Sequence, residues 1–228
     1  MLQQLRRRDL IVLMGVLTLL CVAAFGAGYA VYAVLQNQTD NGSTLPVAEA
    51  GQTEIQHTIN NLDVTGLTQY PLAKEAAQGW ANDIELIAAG SDWPTVLAVD
   101  QVGEPSSWGY RFYSPSKKQM LFVTVEPDGQ VETIEHKPEI TLPPRIVDTN
   151  NWLFDSPTAL ALWLDFGGAD MLAANPGMEL LAQLRVTGDT GGPAWLVTGV
   201  DQRTEEMLMV VVDAQKGVVT RSSLDLNH

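Results

Sequence analysis

Three histidines, 27 acidic residues and one cysteine are the material for chemistry in this 228-residue sequence, and their spacing limits what they can do. His57, His136 and His228 stand far apart, and none has the helix-spaced partner that a zinc site requires. His136 follows Glu132 and Glu135, with Glu139 just beyond. That set reads either as a weak cation site or as a solvated acidic strand edge, which discourages unwanted strand pairing. Asp83, Glu85, Asp165 and Asp170 fall where the pattern is helical, and two of them could act as an acid–base pair only if folding brought them together. Exposed helix faces carry such residues anyway. Thr187-Gly188-Asp189-Thr190-Gly191-Gly192 is glycine-rich but lacks the lysine and the strand-to-helix setting of a phosphate loop, so it reads as a hairpin loop. Cys21 is alone, which rules out an internal disulfide, a cysteine metal site and a haem attachment motif. The expectation is a protein that is not an enzyme, with no catalytic residue, no metal and no cofactor.

Six tryptophans, all beyond residue 79, are the other residues with binding potential. Trp80, Trp108, Trp163 and Trp195 fall at positions that join helix to sheet. Trp93 and Trp152 flank turns, which makes them the candidate interface anchors, with core packing as the competing reading.

The element that positions everything else is an uncharged stretch, residues 10–35, behind Arg6-Arg7-Arg8. As a helix its 26 residues would reach roughly 39 Å, enough to cross a hydrocarbon core of about 30 Å with tilt. Residues 1–9 are then a cytoplasmic head, and the arginines predict the bulk of the chain outside. A cleaved signal peptide ending near Gly26-Ala27-Gly28 is the main rival, but apolar sequence continues through Leu35. Gly15, Gly26 and Gly28 make a narrow helix face that could pack against a second membrane helix. Residues 36–69 are polar and read as a flexible stalk, with His57 a solvated side chain. Net charge is −14, and with the arginines and Asp9 set aside the remainder holds 10 basic and 26 acidic residues. Nucleic acid is therefore excluded as a partner. The bilayer is the expected partner of residues 10–35, and an envelope or membrane protein that of the acidic remainder.

A weak repeat organises that remainder. The first copy, residues 70–137, opens with Pro71 at a helix start and Leu72, Ala76, Trp80, Ile84 and Ile87 at helical spacing, with Gly90-Ser91-Asp92 as the stop. Strand-like segments follow at 95–102, 108–113, 120–125 and 130–135. The second copy, residues 152–228, opens with Asp155-Ser156-Pro157, bends at Gly167-Gly168, and has strand-like segments at 178–186, 195–200, 207–212 and 218–221. Trp108 and Trp195 lie 87 residues apart, as do Val125 and Val212; Pro71 and Pro157 are 86 apart. Residues 138–151, with Pro138, Pro143 and Pro144, form the linker. The predicted fold is α+β: a membrane helix, then two tandem units of a helix on a small antiparallel meander.

In both copies a valine-rich strand leads through an aspartate and a short turn to glycine and a second strand, at residues 121–131 and 209–219. With the helix-then-meander order, this resembles the PepSY and PepSY-like domains of bacterial cell-envelope proteins. The resemblance implies an extracytoplasmic location and a binding, inhibitory or regulatory role without catalysis. The expected function is a single-pass anchored protein presenting an acidic binding module. A structural accessory subunit of a larger membrane complex is the alternative, and a hydrolase is a third, weaker reading.

Overall fold

A computed structural model of the chain describes residues 55–188 and 191–223. Contacts divide the chain into Met1–Val47 and Ala48–His228, and all described residues belong to the second unit. The expected membrane helix, with Gly15, Gly26 and Gly28, lies outside the described residues. Among the described residues no helix is long and apolar enough to cross a membrane.

The fold is α+β, built on one antiparallel sheet of eight strands. Helix α1 (Gly66–Trp80) precedes β1 (Glu85–Val96), β2 (Trp108–Ser114), β3 (Gln119–Val125) and β4 (Val131–His136). A second helical stretch then runs through α2 (Ser156–Trp163), a π turn (Leu164–Gly168) and α3 (Ala169–Ala174). It precedes β5 (Met178–Val186), β6 (Pro193–Asp201), β7 (Glu206–Asp213) and β8 (Val218–Ser222). The strand order is β4-β3-β2-β1-β5-β6-β7-β8, so two meanders run outward from a central β1–β5 pair. Antiparallel pairing of β1 with β5 makes one sheet of both. Helix α1 lies on the first meander and α2 on the second.

Register follows the sequence landmarks: Trp108 stands opposite Val125, and Trp195 opposite Val212. The two rings meet edge to face at 6.0 Å between centroids, inside the core. The hairpins depend on the aspartate and glycine noted above. Asp128 accepts from the Gln130 amide, Asp213 accepts from the Gln215 and Lys216 amides, and Gly129 and Gly217 take positive φ of 84° and 66°. Asp side chains fold such turns and glycine supplies the left-handed residue.

Several local expectations change. Helix α1 begins at Gly66, capped by Thr65, so Pro71 falls inside it rather than in its first turn. Its buried stripe is Gly66, Gln69, Ala73 and Ala77, whereas Leu72 faces out. Small residues on this stripe let the helix settle onto the bulky Trp108, Tyr110 and Phe112 of β2. The helix stops at Trp80, and Ile84 and Ile87 do not continue it: Ile87 and Gly90-Ser91-Asp92 lie within β1. Residues 95–102 are not a strand either, since β1 ends at Val96 and Val99–Gln101 form a 3-10 turn.

The second helical stretch bends where Gly167-Gly168 predicts it, with Gly167 at φ 102° inside the π turn. Two backbone hydrogen bonds tie residues 138–151 to the first meander. Ile140 donates to the Lys118 carbonyl at 2.7 Å and Val147 to the Leu86 carbonyl at 2.7 Å.

Candidate interaction surface

Helix caps set the interior polar chemistry. Asp155 caps α2 through the Ser156 amide at 2.6 Å and also accepts from the Leu67 amide of α1 at 3.0 Å. The Thr65 hydroxyl, itself the cap of α1, donates to the same carboxylate. One aspartate thus serves the N-termini of both helices, where unpaired amides and the helix dipoles favour negative charge. Burial pushes its carboxyl above the ordinary range, and bonds from Thr65, Ser156 and Leu67 pull only part of the way back. Above it the Tyr110 hydroxyl donates to the Gly66 carbonyl at 2.6 Å, and burial together with the Asp155 charge drives the phenol up.

Two of the four acids that could have formed a catalytic pair, Asp83 and Asp165, make bonds within the fold. Asp83 accepts from the Ser114 hydroxyl at 2.6 Å and the Ser116 amide at 2.7 Å, bonds that hold its carboxyl below the ordinary range. Asp165, in the π turn, accepts from the amides of Gln56 and His57 and from His57 Nδ1 at 2.5 Å. His57 is therefore not a free stalk side chain: it fastens a strap that runs from residue 55 to α1. Ile59 is buried in this strap, and Asn61 donates to the Gly103 carbonyl at 2.9 Å. A single apolar residue in polar surroundings gave no periodic signal for this.

Trp93 and Trp152 are only 8% and 3% exposed. Trp93 donates from Nε1 to the Glu104 carbonyl and meets Trp108 edge-on. Trp152 sits between Tyr70 and Trp195. Both rings are core, so neither offers a contact face.

The set around His136 does not converge, because strand alternation sends Glu132, Ile134 and His136 to one face of the sheet and Glu135 to the other. Among the described residues no group of three metal-ligating side chains is drawn together. Glu135 instead accepts from Trp80 Nε1 at 2.9 Å on the helix side, and the Lys117 ammonium stands 4.6 Å from the Trp80 ring.

What the fold does assemble is a patch on the face of the first meander opposite α1. Ile134 lies directly opposite Phe122, which lies opposite Arg111 in the next strand. The Arg111 guanidinium stands 5.8 Å from the Phe122 centroid, and His136 meets the same ring edge-on at 6.3 Å. Ile134 is 68% exposed, a large apolar side chain left in water. Aromatic and arginine side chains flanked by an exposed aliphatic are the composition of interface cores. Individual positions in the sequence do not reveal this patch, because its members come from three strands and meet only through register.

The described residues thus form an α+β scaffold: an eight-stranded antiparallel sheet, helices on one face, and an aromatic–arginine patch on the other. No family model, curated protein or solved structure matches the chain.

Proposed function

We propose that this protein is a membrane-anchored, extracytoplasmic docking module that is not a catalyst, built from two tandem PepSY-like units fused through one sheet. The observation that carries this reading is the Phe122–Arg111–His136–Ile134 patch on the face of the first meander opposite α1. A soluble scaffold gains nothing from leaving Ile134 in water beside a stacked arginine, whereas a partner covering them would remove apolar area from solvent. The mirrored meanders and the matched Trp108–Val125 and Trp195–Val212 pairs support the tandem-unit part of the reading. The uncharged run at residues 10–35 behind three arginines supports the anchor and its orientation.

Site-specific photocrosslinking in native cells tests it. A photoreactive phenylalanine analogue at position 134 should yield a discrete protein adduct. The same analogue at Glu75, on the exposed side of α1, should yield none. Equal labelling at both positions, or none at either, would overturn the proposal.

A further inference from the structure

The strand β4 adjoins this patch and ends the strand order, so no strand among the described residues pairs with its outer side. Residues Val131–Glu135 are all exposed. The Glu126 amide donates to the Gln130 carbonyl at 2.8 Å, which fixes the alternation along β4. Gln130, Glu132 and Ile134 turn their backbone groups toward β3, and Val131, Thr133 and Glu135 turn theirs outward. Three N–H donors and three carbonyl acceptors in a row form a template for one more strand.

Resting on the docking reading above, we propose that this edge takes a basic extended segment of a partner protein as a ninth strand. Charge selects the occupant. Glu132 projects on the patch side of β4 and Glu135 on the helix side, so an incoming strand passes an acid on each face. A second copy of the chain would crowd four glutamates onto one seam, and like charges across a strand pair destabilise it. The chain's own residues 36–54 carry Asp40, Glu49 and Glu54 with no lysine or arginine, and residues 224–228 add only Asp225 and His228. Neither segment complements the edge. A strand that places an aliphatic side chain beside Ile134 and lysine or arginine beside Glu132 and Glu135 satisfies every feature. The acidic edge is thus a filter against self-association that admits the opposite charge.

The test uses the full chain in detergent and a labelled ten-residue peptide centred on Lys-Val-Thr-Lys, which as an antiparallel strand sets its lysines opposite Glu135 and Glu132 and its valine opposite Ile134, read by fluorescence anisotropy. The peptide should bind, and a version N-methylated at every residue, with the same charge but its backbone donors blocked on both edges, should bind at least tenfold more weakly. The double variant E132K/E135K should lose affinity at least tenfold. Thr133→Pro should do the same, since it deletes one outward donor while leaving the β3–β4 ladder intact, and an unchanged circular dichroism spectrum verifies its fold. Binding within twofold for the N-methylated peptide or for Thr133→Pro would reduce the interaction to adhesion by charge and overturn the proposal. The crosslink at position 134 is scored in the same Thr133→Pro background. An adduct that persists there leaves the docking reading standing without the added strand, and one absent even from the wild-type chain removes both.

Discussion

Replacing Asp155 by alanine removes at one stroke the cap of α2 and the acceptor shared with α1. Loss of a capping side chain costs about 1 kcal/mol. The Thr65 hydroxyl, 2% exposed as a residue, loses a charged acceptor, a bond worth about 2 kcal/mol. Leu67 is exposed enough for water to replace the third bond, which adds little. Relief of the buried charge offsets part of this, so the net expectation is a loss of about 2 kcal/mol. For a folded unit of this size that lowers the melting temperature by roughly 4–8 °C. Asp155→Asn keeps an acceptor and sheds the charge, and should cost less than half as much.

The pH dependence carries a distinct sign. Burial raises the folded carboxyl pKa above its unfolded value. The folded state therefore holds a proton more readily, and the penalty of the buried charge is fully present only above the folded pKa. As pH falls through that value toward the ordinary carboxylate range, the wild type should gain stability relative to Asp155→Asn. Tryptophan-fluorescence melts of the two proteins across this range measure the difference. An Asp155→Ala loss below 0.5 kcal/mol, or a wild-type advantage that shrinks on acidification, would refute the shared cap.

Three further outcomes are expected. Gly199→Ala should cost about 1–3 kcal/mol in chemical denaturation, because its new methyl would stand 2.4 Å from both Met178 and Trp163. Gly109→Ala, whose nearest neighbour would be the Gly90 carbonyl at 3.7 Å, should be neutral within about 0.5 kcal/mol. Asp201, held down to about 2 by its bonds to Arg203, should titrate near that value by carboxyl NMR and move up in Arg203→Ala. Its stabilising contribution is present above the ordinary carboxylate pKa and is lost as pH falls toward 2. Asp165→Asn should speed amide exchange at Gln56 and His57 at least tenfold while leaving β6 and β7 protected, as hydrogen-exchange mass spectrometry would record.

The sheet was legible strand by strand wherever turn residues punctuated it. Residues 178–186 match β5 at both ends, and β2, β3, β4 and β6 to β8 differ from their expected bounds by a residue or two. The exception is β1. It lies at the centre of the sheet with side chains buried on both faces and a bulge between Leu86 and Ala88, so the alternation of a half-exposed strand is missing. Ile84 and Ile87 then continued the period of the preceding helix. The start of α1 was hidden for another reason: Thr68 takes the role of the usual glutamate in its capping box, accepting from the Thr65 amide at 2.8 Å. Pro71 supplied a false start five residues later. The candidate surface was the least legible part. Phe122, Arg111 and Ile134 have unremarkable neighbours along the chain, and only pairing across three strands makes them one patch. Of the two tryptophans expected as anchors, Trp93 is buried because it lies within β1 rather than beside a turn, and Trp152 because it follows the 3-10 turn Thr149–Asn151 into the space between Tyr70 and Trp195.

The strap has a mechanical consequence. Among the described residues, the first hold on the entering chain is Asp165, which belongs to the helical stretch of the second meander, not to α1 that follows the strap directly. Tension arriving from residues before 55 is therefore delivered first to the far half of the molecule. The first meander, with its patch and open edge, joins that half through β1–β5 pairing, the Trp108–Trp195 contact and the bonds of α1 to Asp155. Force applied at residue 55 and at β4 would load the sheet from opposite ends, through the β1–β5 pair and the Asp155 bonds that join α1 to α2.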